Sequence, residues 1–148
     1  GQTDPHFATL SNNLGSLYIY QRKYKEAEPL LIRALNTREN LLGPEHPDVA
    51  IVLHNLAKLH FLERRYGEAE PLFRRALAIQ EKSLGPDHPD FASTLGAYAL
   101  LLQKTKRKSE ATVMHARAQQ ILAKHPTRST RQTVDVHDLG RSAKAWKE

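Results

Sequence analysis

Cysteine is absent from this 148-residue sequence, and methionine and tryptophan occur once each. Without cysteine the chain can form no disulfide and cannot use a thiolate in catalysis. A cysteine-free chain suits a reducing compartment, so we expect a cytoplasmic protein. No apolar run approaches the roughly 18 residues of a membrane span, and the first residues do not resemble a signal peptide. We therefore expect no membrane insertion.

Sequence motifs of catalysis and metal binding are also missing. There is no Gly-rich phosphate-binding loop and no Gly-x-Ser-x-Gly motif. Of the eight histidines, His46 and His88 recur in the same short motif, which favours a structural role. His54 and His60 lie six residues apart, on different faces of a helix, unlike a ligand pair at i and i+4. We expect no enzyme activity, no metal and no cofactor.

The positive charge lies mostly in the last third of the chain. The net charge is +6, but residues 1–102 hold 11 lysines and arginines against 12 acidic residues, whereas residues 103–148 hold 11 against 4. A basic segment of this kind binds nucleic acid or an acidic partner, or is simply a solvated end. Composition alone leaves these alternatives open.

A repeat of 42 residues dominates the sequence. Leu-Gly-Pro-Glu-His-Pro-Asp at 42–48 returns as Leu-Gly-Pro-Asp-His-Pro-Asp at 84–90. When residues 22–50 are aligned with 64–92, 18 of 29 positions are identical. A fixed period of this size indicates an array of one supersecondary unit.

Helix start and stop signals recur with the same period. Asp4-Pro5, Pro47 and Pro89 are suited to the first turn of a helix, and Gly43-Pro44 is a typical stop. Leu10, Leu14 and Leu17 at helical spacing are expected to face the partner helix. The pattern predicts three pairs of helices and no strand: 5–21 with 25–41, 47–63 with 67–83, and 89–104 with 108–124.

Small residues stand where helices must approach closely. These positions are Gly15/Ala57/Ala99, Ala27/Ala69/Ala111 and Ala34/Ala76/Ala118. In this pattern the chain resembles the tetratricopeptide repeat, whose usual unit is about 34 residues. The longer unit, its Gly-Pro-Glu-His-Pro linker and Asn12-Asn13-Leu14-Gly15 are similar to the kinesin-light-chain subtype.

The resemblance implies an all-α fold, a right-handed α-solenoid of three tetratricopeptide helix pairs followed by a C-terminal tail. The match covers 1–125, with units at about 1–42, 43–84 and 85–125, and leaves 126–148 as a basic tail. Val134, Val136, Leu139 and Trp146 are the residues of this tail that could pack. They could cap the third unit or mediate self-association, or the tail could be disordered.

The resemblance also implies function: the first helices line a concave groove that holds a peptide. In kinesin-light-chain-like proteins, asparagines of these helices hold the peptide backbone, and basic residues meet its acidic side chains. Helical geometry then predicts the binding residues, which are Asn12, Asn13, Ser16, Tyr20, His54, Asn55, Lys58, Phe61 and Lys104. The alternative is that the asparagines merely solvate a helix face.

Two classes of function remain. The first is a protein-interaction scaffold whose partner carries acidic and apolar residues. The second is a nucleic-acid-binding module that uses the basic residues Lys104, Lys106, Arg107, Lys108, Arg128 and Arg131. No aromatic residues for base stacking surround that basic cluster, which favours the scaffold.

Overall fold

The structure, a computed structural model, describes residues 4–126, and this part of the chain contains six α-helices and no strand. The helices are α1 (Pro5–Tyr20), α2 (Tyr24–Leu42), α3 (Pro47–Leu62), α4 (Tyr66–Leu84), α5 (Pro89–Lys104) and α6 (Lys108–Ala123). Every predicted helix end agrees with the structure to within one residue. The predicted roles of the C-terminal tail concern residues that lie outside this described range.

Consecutive helices pack in pairs, α1 with α2, α3 with α4, and α5 with α6. The second helix of each pair also packs against the first helix of the next pair, and α3 contacts both α1 and α5. The result is a solenoid of three helix pairs, in which the first helices are neighbours.

The repeated linker starts and stops helices through specific backbone contacts. His46 and His88 are the N-cap residues of α3 and α5, and their Nδ1 atoms accept hydrogen bonds of 3.1 and 3.0 Å from the backbone N–H groups of Asp48 and Asp90. Such a bond satisfies a donor that has no partner within the helix. The predicted structural role of these two histidines is therefore confirmed.

Small residues bring the paired helices together, as predicted. Ala27, Ala34, Ala69 and Ala76 are completely buried between helices. At Gly15 a Cβ atom would lie 2.8 Å from the side chain of Leu31, so an alanine there would force Leu31 to shift. The solenoid depends on these contacts, because each unit packs only against its neighbours.

The predicted orientation of α1 is wrong. Leu10, Leu14 and Leu17 are 68%, 39% and 49% exposed instead of facing α2. The residues that α1 buries are Ala8, Ser11, Asn12, Gly15 and Ile19. The leucines lie on the side of α1 where a preceding helix would pack, and residues 4–126 contain no such helix.

Candidate binding groove

The first helices are connected by hydrogen bonds between side chains, and three of the four residues involved are predicted binding residues. Asn55 Nδ2 donates to Asn12 Oδ1 over 3.0 Å, which joins α3 to α1. His54 Nδ1 lies 2.9 Å from Thr94 Oγ1, which joins α3 to α5. These bonds place the polar residues of α1, α3 and α5 on one shared surface. We call this surface the groove.

A cavity of about 240 Å³ opens in the groove between α3 and α5. It is lined by Ile51, His54, Asn55, Gln80, Asp90, Ser93 and Thr94. His54 and Asn55 are among the predicted binding residues, so the structure brings these two together at the cavity. Sequence reasoning missed Gln80, Asp90 and Thr94.

Gln80, contributed by α4, is one of two buried polar residues that line this cavity, and Thr94 is the other. The Gln80 side chain is 2% exposed, and no donor in the described part of the chain reaches its Oε1 atom. A buried carbonyl without a hydrogen bond is costly, on the order of 1–3 kcal/mol. Gln80 therefore places a buried acceptor in the wall of the cavity, and a donor on a bound molecule would reach it only after the side chain turned.

The equivalent position in α2, 42 residues earlier, is Arg38. This arginine is buried, and its Nη1 donates to the backbone oxygen of Asp48 over 2.8 Å, while Nη2 reaches Thr9 Oγ1 at 3.5 Å. Within residues 4–126 no carboxylate forms an ion pair with Arg38. Arg38 therefore places a cation beneath the gap between α1 and α3. Gln80 places a neutral amide beneath the gap between α3 and α5.

Burial sets the charge of His54. Removal from water, and to a smaller extent the nearby Lys58 ammonium, lowers the pKa of His54 to about 4, against the opposing effect of Asp90. The imidazole is therefore neutral at pH 7, and positive charge on this part of α3 comes from Lys58.

The predicted site residues differ in accessibility. Asn13, Tyr20, Lys58 and Lys104 are exposed, and Ser16, His54, Asn55 and Phe61 are half-buried. Phe61 also packs on the Tyr66 ring, with 5.5 Å between the ring centroids. Asn12 is buried, and its contact with Asn55 places it between the two helices instead of on the open surface.

One of the residues assigned to the nucleic-acid alternative is already engaged. Arg107 Nη2 lies 2.8 Å from Glu70 Oε2, and this bond holds the pKa of Glu70 below its usual range. Lys104, Lys106 and Lys108 are exposed, and Arg128 and Arg131 lie outside the described residues.

Residues 4–126 contain neither a metal-binding cluster nor a helix suited to span a membrane. No group of three histidine or acidic side chains there is arranged to hold a metal ion. None of the six helices is both long and apolar enough to cross a bilayer.

Comparison with solved structures shows the same architecture elsewhere. BtubC (BKLC) from P. vanneervenii superimposes with a TM-score of 0.76 at 28% sequence identity, over 84% of this chain and 50% of that one. A kinesin-light-chain-like protein of P. anserina with nearly identical TPR-like repeats gives a TM-score of 0.74 at 25% identity, over 82% of this chain and 58% of that one. The present chain thus spans between half and three fifths of these proteins.

Among curated proteins, no sequence matches this chain. The tetratricopeptide repeat model, in contrast, matches residues 6–82 and 53–124, which together cover most of the sequence. The agreement with kinesin-light-chain-like structures confirms the resemblance seen in the sequence. The chain belongs to the tetratricopeptide repeat family.

Proposed function

We propose that this chain is an interaction scaffold that binds a short segment of a partner protein in the groove. Tetratricopeptide repeats generally mediate protein–protein interactions and are generally not enzymes. The observation that carries the proposal is the cavity between α3 and α5, where Gln80 Oε1 is buried without a donor. When the Gln80 side chain turns into the cavity, a peptide N–H or a donor side chain of the partner satisfies it.

The other groove residues define the chemistry of the segment. The amide of Asn13 is exposed, and Asn55 donates through Nδ2 to Asn12, so its Oδ1 is available as an acceptor for a peptide N–H. Lys58 and the buried Arg38 attract an acidic side chain. Tyr20 and Phe61 offer aromatic surface to an apolar anchor. The partner segment therefore carries at least one acid and one large apolar residue.

The test begins with selection of peptides from a random displayed library on the full 148-residue chain. Isothermal titration of an enriched peptide then compares wild type with Lys58→Glu and Asn55→Ala. We expect affinity to fall at least roughly tenfold in Lys58→Glu and severalfold in Asn55→Ala, since charge-assisted and neutral hydrogen bonds differ in strength. Lys25→Glu makes the same charge change at an exposed position of α2 and should bind like wild type.

Equal affinity in wild type and both groove variants would show that the groove is not the binding site. The nucleic-acid alternative is tested by titrating an unstructured oligonucleotide at rising salt. Phosphate binding would give a steep loss of affinity with salt, and the loss would be insensitive to Asn55→Ala. That result would favour the basic segment over the groove.

A further inference from the structure

The cavity between α3 and α5 corresponds to a place that a side chain of this protein fills one unit earlier. In the gap between α1 and α3, Arg38 donates from Nη1 to the backbone oxygen of Asp48 over 2.8 Å, and its Nη2 lies 3.5 Å from Thr9 Oγ1. The equivalent residues of the next unit all line the cavity, and they are Gln80, Asp90 and Ile51. The cavity is therefore the counterpart of the space that the Arg38 guanidinium occupies.

The gap between α3 and α5 keeps acceptors of this arrangement but not its donor. Gln80 is shorter than arginine and uncharged, so α4 contributes no guanidinium here. The backbone oxygen of Asp90 accepts a bond of 3.2 Å from Thr94 Oγ1, and a carbonyl oxygen has a second lone pair for another donor. Asn55 uses Nδ2 for its bond to Asn12, which leaves Oδ1 as a further acceptor at the cavity.

The charge of the cavity favours a cation. Asp90 is the one residue charged at pH 7 among those that line it, and its side chain is 44% exposed. His54 is neutral at pH 7, because burial lowers its pKa to about 4, so it does not repel a positive ligand. A guanidinium, with five donors and a permanent positive charge, suits a carboxylate surrounded by oxygen acceptors.

Lys58 is the opposing charge. It lowers the pKa of His54 more than Asp90 raises it, so its ammonium lies near the edge of the site. Lys58 is exposed and does not line the cavity, however, and water screens an exposed charge. A guanidinium therefore approaches on the Asp90 side, one helical turn or more away from Lys58.

We propose that the cavity receives an arginine side chain of the partner segment, which takes the place that Arg38 fills between α1 and α3. Its guanidinium donates to the carboxylate and the backbone oxygen of Asp90, and to Gln80 Oε1 once that side chain has turned. The proposal rests on the proposed function, because the arginine belongs to the segment whose acidic residue meets Lys58. The segment thus carries both charges.

The test uses peptides selected on the full-length chain from a random displayed library, and we expect the enriched peptides to share an arginine. Isothermal titration compares one of them with its citrulline analogue, in which an uncharged urea of similar shape replaces the guanidinium. The wild-type chain should bind the citrulline peptide roughly tenfold more weakly, because a charge-assisted hydrogen bond to the carboxylate is lost.

Two substitutions should change this discrimination. Asp90→Asn removes the charge with little change of shape, and the ratio of the two affinities should fall to about threefold or less. Gln80→Arg fills the cavity with the residue that α2 carries, and should weaken the arginine peptide at least roughly tenfold. Asp48→Asn makes the first change at the equivalent position of α3 and should keep the wild-type ratio. The melting temperature of each variant checks that it is folded.

Enriched peptides without arginine, equal binding of the two peptides by wild type, or a wild-type ratio in Asp90→Asn would each overturn the proposal. The proposed function would still stand if Lys58→Glu and Asn55→Ala weakened binding, so the two failures are distinguishable.

The chain's own arginines are excluded in the same titration. Arg128→Gln with Arg131→Gln, beyond the described residues, should leave the affinity of the arginine peptide unchanged in the full-length chain. Tighter binding in that double variant would overturn the assignment to a partner, because the tail would then compete for the cavity.

Discussion

Asn55 Nδ2 donates a hydrogen bond of 3.0 Å to Asn12 Oδ1 across the boundary between the first two units. Asn12 is buried by this contact, whereas its neighbour Asn13 is exposed. Two adjacent asparagines thus have different roles. Asn12 links the units, and Asn13 lies at the surface.

This division predicts different effects of two equivalent substitutions. Asn12→Ala should reduce the free energy of unfolding by roughly 0.5–1.5 kcal/mol, because it removes the acceptor of a half-buried hydrogen bond. Asn13→Ala should leave stability nearly unchanged. Urea denaturation of both variants is the measurement. Destabilisation by Asn13→Ala of the same size as by Asn12→Ala would contradict the register of α1.

Packing within the second helix pair, between α3 and α4, is tested at Ala76. This residue is completely buried in a cluster with Val49, Ala50, Leu53 and Ile79. Ala76→Leu should destabilise the chain by roughly 1–3 kcal/mol through overpacking. Ala78→Leu makes the same change at an exposed position of α4 and is the control. Equal melting temperatures for both variants would be incompatible with this core.

The lowered pKa of His54 predicts that the stability of the folded chain depends on pH. The unfolded chain binds a proton at His54 below about pH 6.5, whereas the folded chain binds one only near pH 4, because burial lowers the pKa. The unfolded state therefore gains protons first, and stability falls as the pH drops from 6.5 to 4. The contribution is at most roughly 3 kcal/mol.

In His54→Gln this part of the pH dependence should disappear, and unfolding free energies measured between pH 7 and 4 should decline less steeply than in wild type. His6→Gln, at an exposed histidine, should follow the wild-type curve. Identical slopes in wild type and His54→Gln would mean that His54 is not buried as a neutral group.

The helices followed directly from the sequence because the start and stop signals are local. Proline and the histidine caps act within a few residues, so the period of 42 residues repeated the same boundaries in each unit. The sequence did not predict correctly which side of α1 is buried. Leu14 has the spacing of a core residue, and its burial depends on a neighbouring unit that the spacing alone does not reveal.

The groove was predicted in part. The stripe on the first helices identified His54 and Asn55, since helical spacing decides which side chains share a face. Gln80 and Arg38 were missed because both lie on second helices, where a polar residue suggests exposure. Their burial arises only when the next unit packs beside them.

The most direct test of the proposed function is the chemical shift change of the side-chain amides when a selected peptide is added to the ¹⁵N-labelled full-length chain. The NH₂ resonances of Asn13, Asn55 and Gln80 report on the groove and its cavity. We expect the largest changes at Asn55 and Gln80, which line the cavity, and a smaller change at Asn13. Changes confined to Gln119 and Gln120 of α6, with none at Asn55 and Gln80, would contradict binding in the groove.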